Sequence, residues 1–439
     1  MKITRRNLIY TSLFGAGLVG LRSLATGLPR GMLLDPLRAR AEEAPPARTL
    51  ILATSQAGDP LNGNVPGTYG AGLDDLVHPQ DPRMAPTQLT LGGRRWTAAK
   101  PWTDLPPEIL DRTCFIHHST YANSHPAHPK VMRLMGQTNR AEMMVSVFAK
   151  SLAPRLETIQ AEPISLGARG GSELLAFEGR TLSKVTPTAL RTVLAGVEGP
   201  LADLQTLRDR DIDRIYGLYR AEGTENQRRM LDRFAQTRDE ARAVSESLLG
   251  RLATVDGDDA QNQVRAAPIL AAMAVAPVIT VRIPFGGDNH RDTSLVNETE
   301  QTITGVAMLG ELVSQSDALR REGVLRNDVV VGTMNVFGRT LSRSRKGYNG
   351  RDHNSRHHVT VLIGDSIRAG VIGGVTRANR DWGALPIDSA TGEGDERGDV
   401  SYEDTFASVA KTVGAALGVP QAVLDEDITQ GRVLDVALV

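Results

Sequence analysis

Six short apolar runs alternate with stretches of helical spacing, and this alternation leaves few folds open to the chain. The runs are "RTLILATSQAGD", "DRTCFIHHST", "AEPISLG", "APVITVRIPFGGDNH", "NDVVVGTMNVFGRT" and "HHVTVLIGDS". Helical patterns between them include "AEMMVSVFAKSL", "QVRAAPILAAMA" and "TITGVAMLGELV". A strand that is apolar on both sides must be covered on both faces, and strands alternating with helices pair in parallel through crossovers. The prediction is an α/β fold, a three-layer α/β/α sandwich around a mostly parallel sheet. With 439 residues the chain is long enough for one large domain carrying insertions. Aromatics make up only 4%, so Leu, Val, Ile, Ala and Met must build the core.

Two stretches depart from the pattern. Residues 203–256 are highly charged with apolar positions at helical spacing, which predicts a helical insertion rather than a second catalytic domain. The start of the chain is basic. Residues 1–41 carry seven Lys and Arg side chains against Asp35 alone, so a net charge of −1 hides a +6 start and a −7 remainder. A mildly acidic body does not have the basic face of a nucleic-acid binder. "TRRNLIYTSLFGAGLVGL" places Arg5 and Arg6 before a modestly apolar segment, and Ala39-Arg40-Ala41 offers an A-x-A cleavage site. This resembles a twin-arginine export signal over residues 1–41, leaving a single domain over 42–439. The expected destination is the periplasm or the medium, by way of the twin-arginine translocation machinery. Arg22 interrupts the apolar stretch short of the roughly 20 residues that span a bilayer, so no stable membrane span is expected after cleavage. Cys114 is the only cysteine, which excludes an internal disulfide.

In an open α/β sheet, ligands bind beyond the carboxyl ends of the strands. The predicted strand ends here carry "GDPLN", "HHSTYANSHPAH", "GGDNH", "NVFGRT" and "RDHNSRHH". Eight of the nine histidines fall in three of these patches, and only His78 lies elsewhere. Carboxylates and imidazoles gathered from distant strand ends suit a transition-metal site. Ser124 stands before a predicted helix start at Pro126, where it serves either as a cap or as a hydroxyl at an anion-favouring terminus. Arg339, Arg343, Arg345, Lys346, Arg351 and Arg356 crowd a short segment against Asp352 alone, which fits either an anionic substrate or a solvated basic loop. Arg339 directly follows a predicted strand end. His357 and His358 open the next strand and point to opposite faces, so at most one faces the site.

Several of these stretches together resemble an exported bacterial family catalogued as domain of unknown function 1501. They are "QVRAAPILAAMAVAPVITVRIPFGGDNH", "VFGRT", "DHNSRHHVTVLIGDSIRAGVIGG", the opening "GDPLNGNVP", the "NSHPAH" patch and the closing helix with "LGVP". The resemblance covers most of residues 48–420, least in 203–256. That family is regarded as similar to the alkaline phosphatase and sulfatase superfamily, which implies an alkaline-phosphatase-like sandwich with one or two metals beside a nucleophile. Carried across, Asp59, Asp288, His290, Asp352 and His353 resemble metal ligands. Ser124 takes the nucleophile-like position of the family's Ser-His pair, with His125 beside it. The metal expected is zinc or manganese, with calcium as a further option. Two departures stand out. Asn335 and Val336 replace the family's Ser-Glu, removing one carboxylate, and Asn354 replaces a glycine.

These readings lead to an exported metal-dependent hydrolase acting on a small phosphate or sulfate ester. The alternative is a catalytically degenerate periplasmic binding or scaffold protein of the same fold. A metal-free Ser-His-Asp esterase fits less well, because no G-x-S-x-G elbow surrounds any candidate serine.

Overall fold

The computed structural model describes residues 45–55, 60–70, 72–167, 175–194, 214, 221, 247–287, 289–342 and 349–439. Residues 1–41, where an export signal is expected, and nearly all of the charged helical stretch lie outside the described residues. Of that stretch, residues 247–253 are helical.

Seven strands form the central sheet: β1 (Thr49–Thr54), β2 (Thr113–His118), β3 (Ile164–Ser165), β4 (Val278–Arg282), β5 (Val329–Thr333), β6 (His358–Ile363) and β7 (Gly370–Ile372). Their order across the sheet is β7-β2-β6-β5-β1-β4-β3. All neighbours are parallel except β6, which runs antiparallel to both β2 and β5. The expectation of a mixed α/β chain with a mostly parallel sheet holds, and the six apolar runs all become strands.

Alternation along each strand divides the core in two. Ile51, Ala53, Ile279 and Val331 face helices α2 (Ala260–Ala272) and α3 (Val296–Arg321), meeting Val264, Leu270, Leu309 and Leu312. Leu50, Leu52, Val278 and Val330 face α1 (Met144–Leu156) and α4 (Thr405–Ala416), meeting Phe148, Leu152, Phe406 and Val413. Each Val, Leu, Ile or Phe among them contributes about 1.5–3 kcal/mol when fully buried. Helices therefore cover both faces, which is why β1 and β6 are buried at every position. Among the described residues no helix is long and apolar enough to cross a membrane.

Two glycines let backbone segments approach closely enough to build the sheet's carboxyl edge. A Cβ on Gly305 of α3 would lie 2.0 Å from a Phe285 ring carbon, so only glycine lets the helix seat against the segment after β4. Asp292 then caps the start of α3, accepting from the backbone nitrogens of Val296 and Glu298 at 2.9 Å each. Gly350 packs against the same segment. Its nitrogen donates to the His290 carbonyl at 3.0 Å, Arg351 N to that of Asn289 at 3.0 Å, and a Cβ would meet the Asn289 oxygen at 2.2 Å. This backbone pairing brings residues 352–353 beside residue 290.

Candidate metal and anion site at the strand ends

The reversal of β6 decides what reaches the carboxyl edge. Because β6 is antiparallel to β5, its first residues, not its last, lie at the end where β1, β4 and β5 finish. The connection from β5 to β6 therefore stays at that edge and carries Asn335, Phe337, Arg339, Asp352 and His353 along it. A two-residue ladder within the connection pairs Gly338 with Asn354 and Arg339 with His353.

His290 and His353 come together. Their Nε2 atoms face each other at 3.1 Å. His353 Nδ1 lies 3.1 Å from the Asn123 carbonyl, and a carbonyl only accepts, so Nδ1 carries the proton and Nε2 presents a lone pair. His290 Nδ1 lies 3.4 Å from Asp352 Oδ1, long for a hydrogen bond but near enough for attraction. If that nitrogen also carries a proton, two lone pairs meet across 3.1 Å. If it does not, a lone pair faces a carboxylate. A cation between the rings removes both conflicts, either a proton on His290 or a metal ion. Two imidazoles on one zinc ion stand about 3.3 Å apart by the usual bond lengths. The donor set thus fits a divalent metal, with Asp352 behind His290 in the orienting position common to metal-bound histidines. Asp352 Oδ1 also accepts from the His353 backbone nitrogen at 3.0 Å.

Around this pair the rings are stacked in order. Phe337 lies flat on His353 with centroids 4.0 Å apart, and the Arg339 guanidinium carbon sits 5.5 Å from the Phe337 ring centre. His125 stands edge-on to both His353 and Phe337, at 4.9 and 5.0 Å. Burial, with Arg339 and the neighbouring histidines adding to it, holds His353 below the usual imidazole range. Arg339 is fully buried and donates through Nη2 to the Gly287 carbonyl. Asn62 clamps its backbone, accepting from Arg339 N at 3.0 Å and donating to Arg339 O at 2.7 Å.

The expected ligands Asp59 and Asp288 lie outside the described residues. Among the described residues no group of three or more His, Cys, Asp or Glu is arranged to hold a metal, and the described part of the cluster is the His290–His353 pair with Asp352. Ser124 is exposed between Asn123 and His125, both of which touch His353. Its expected capping role is not what the structure shows. It precedes a single 3-10 turn, His125–Ala127, makes no side-chain cap, and has only its carbonyl bonded to Ala127 N at 3.0 Å. Pro126 and Pro129 interrupt that stretch, so no long helix with an anion-favouring end forms there.

The basic segment is also corrected. Arg351 is 1% exposed and serves the fold, not a substrate: it pairs with fully buried Glu298 at 2.5 Å and donates to the carbonyls of Thr340 and Leu341. Arg356 is exposed, and Arg343, Arg345 and Lys346 lie outside the described residues.

Most of the histidines likewise belong to the interior. His117 and His357 meet at 2.9 Å, and His117 Nε2 reaches the Pro66 carbonyl at 2.8 Å. Asn62 Nδ2 closes the chain on His357 Nδ1 at 3.2 Å. His118 and His358 face each other on the opposite side of the sheet, where His118 stacks on Phe406 and bonds Thr360 Oγ1 at 2.9 Å. Opposite faces were expected for His357 and His358, and neither reaches His290. Burial lowers His117, His118 and His128 to about 4 and takes His357 and His358 well down too. Phe337 and the Asn123 carbonyl escaped notice in the sequence. An aromatic two residues before Arg339, at a strand end, was the available signal for the first; a backbone carbonyl has none.

No family model matches the chain, and no curated protein matches it. What the site can do follows from its own geometry.

Proposed function

We propose that the chain is a metal-dependent hydrolase of a small phosphate or sulfate ester, with the alkaline-phosphatase-like sandwich implied by its resemblance to domain of unknown function 1501. The observation that carries this reading is the pair of imidazole Nε2 atoms held 3.1 Å apart with a carbonyl and a carboxylate behind them. His290 and His353 would hold zinc or manganese, with Asp59 and Asp288 as the carboxylates that complete the set. When bound, such an ion polarises an ester oxygen and lowers the pKa of a bound hydroxyl or water. The chain's own groups then divide the work. Arg339 supplies a buried positive charge beside the pair, Phe337 keeps water from one face of His353, and Ser124 offers an exposed hydroxyl next to His125.

A second reading, a binding protein without turnover, draws on Val336. That side chain is fully buried in the apolar cluster shared with α1 and α4, where the resemblance calls for a carboxylate. One experiment separates the readings. Purified mature protein is expected to carry zinc or manganese and to turn over an aryl phosphate or sulfate. A His290→Ala, His353→Ala double variant should lose both, and wild-type metal affinity should fall as acidification protonates the imidazoles, which for His353 happens below the usual imidazole range, because only neutral imidazole binds. Unchanged metal content in the double variant would exclude this centre; metal without turnover in the wild type would favour the binding protein.

The site's place in the cell is part of the proposal. Replacing Arg5 and Arg6 by lysine is expected to leave uncleaved precursor in the cytoplasm, read by fractionation and blotting. Normal periplasmic recovery of that variant would remove the twin-arginine route.

A further inference from the structure

Asn335 follows β5 at the centre of the carboxyl edge and is 1% exposed. Its Oδ1 accepts a hydrogen bond from the backbone nitrogen of Ser55, the residue just past β1. That contact fixes the amide's orientation, since a backbone N–H must meet the oxygen and not the NH2 group. Nδ2 is thereby assigned, and this buried nitrogen has no hydrogen-bond partner among the described residues. Leaving a buried donor unmet is costly, and such groups in native folds generally point to a function or to a bound species. Two donors on one nitrogen require an acceptor.

The surroundings are rich in donors. Ser55 Oγ reaches the Gly286 carbonyl at 3.4 Å, and the guanidinium of Arg339 donates to the carbonyl of Gly287, the next residue. Ser55, which holds the Asn335 amide, and Arg339 thus both reach the Gly286–Gly287 stretch, with Val336 withdrawn into the apolar core. A carboxylate at 335 would accept from Ser55 equally well but would turn an oxygen where Nδ2 now is. The chain has a donor there.

We propose that Asn335 is a ligand-binding residue whose Nδ2 holds one oxygen of a tetrahedral oxyanion, phosphate or sulfate, beside Arg339. The proposal rests on reading the strand-end site as one for an anionic ester. It adds that this chain binds the anion partly through an uncharged amide, next to the position where the family it resembles has a carboxylate. Its consequence is that the amide fixes the orientation of one oxygen, while the preference for a charged anion comes from Arg339.

The test reads binding, not turnover. Inorganic phosphate and sulfate are titrated by calorimetry into full-length mature protein, once stripped with chelator and once reloaded with zinc. Asn335→Asp keeps the acceptor for Ser55 and replaces the donor by an oxygen; Asn335→Ala removes the donor without adding charge. Both are expected to bind the anions at least about tenfold more weakly than wild type, the effect of losing one hydrogen bond to a charged group. Asn335→Asp is expected to be the weaker of the two. Melting curves without anion identify any variant that misfolds, and the remaining one then decides. Wild-type affinity in a folded variant overturns the proposal, leaving Nδ2 to a structural water. Failure of wild type to bind either anion also overturns it, while the metal content of the same samples independently decides the metal centre.

Discussion

Acidification from pH 7 to about pH 5 is expected to unfold this protein, well above the range in which carboxylates titrate. His117, His118, His128, His357 and His358 are each no more than 2% exposed. Burial depresses all five from the ordinary 6.5, three of them to about 4. In the unfolded chain they take up protons as pH falls through 6.5, while in the folded chain they stay neutral. The unfolded state then binds more protons, so the stability these groups contribute is complete above 6.5 and is lost progressively toward 4. All five groups act in the same direction, against a total stability of only about 5–15 kcal/mol for ordinary domains. Hydrogen bonding enforces the same rule. The Pro66 carbonyl requires a proton on His117 Nε2, which makes His117 Nδ1 the acceptor from His357 Nε2, and an added proton on His117 Nδ1 would face a donor. Circular dichroism melts from pH 7.5 to 4, in chelator so that metal loss is not mistaken for unfolding, measure the effect. A midpoint below pH 4 would mean that the histidines charge inside the intact fold.

Replacing Arg351 by methionine is expected to cost about 3–5 kcal/mol. The penalty comes from the partner left behind, since Glu298 is 0% exposed and would lose its guanidinium partner, keeping the Asn64 amide, at 2.8 Å, as a donor among the described residues. Arg351 also ties down the carbonyls of Val77, Thr340 and Leu341, so the loss extends to the segment that carries Arg339. The Arg351→Met, Glu298→Gln double variant should recover part of the loss, because a neutral amide still accepts from Asn64. Denaturant midpoints read both. A single variant within about 1 kcal/mol of wild type would show that the pair contributes little.

The sheet was legible because its strands are apolar on both sides and long enough to stand out. β7 was not, since three residues inside "RAGVIGG" carry no periodicity. The hairpin Pro86–Leu91 with Arg94–Ala99 turns on Gly92 and Gly93, both at positive φ, and its strands are too polar to show as buried runs. In the site, the meeting of His290 with His353 followed from their places at strand ends. Histidine clustering by itself misled, because "HH" in β2 and in β6 are cross-strand neighbours whose pairing depends on strand order. Strand order is a property of the whole sheet. Arg351 misled for a similar reason: Glu298 lies 53 residues away, and nothing near Arg351 in sequence announces it.

The insertion of β6 between β2 and β5 also sets when the protein can become itself. β2 ends at His118, yet one of its edges is closed by a strand whose Thr360 lies 242 residues further along. Until that strand is synthesised, β2 and β5 each present an open row of backbone donors and acceptors, the kind of edge that recruits other chains. Completion of the sheet is therefore a late event of high contact order, expected to be slow. The two histidines of the site meet only after the same step, because His353 lies in the connection that delivers β6. A nascent chain stalled before residue 358 has neither a closed sheet nor a site.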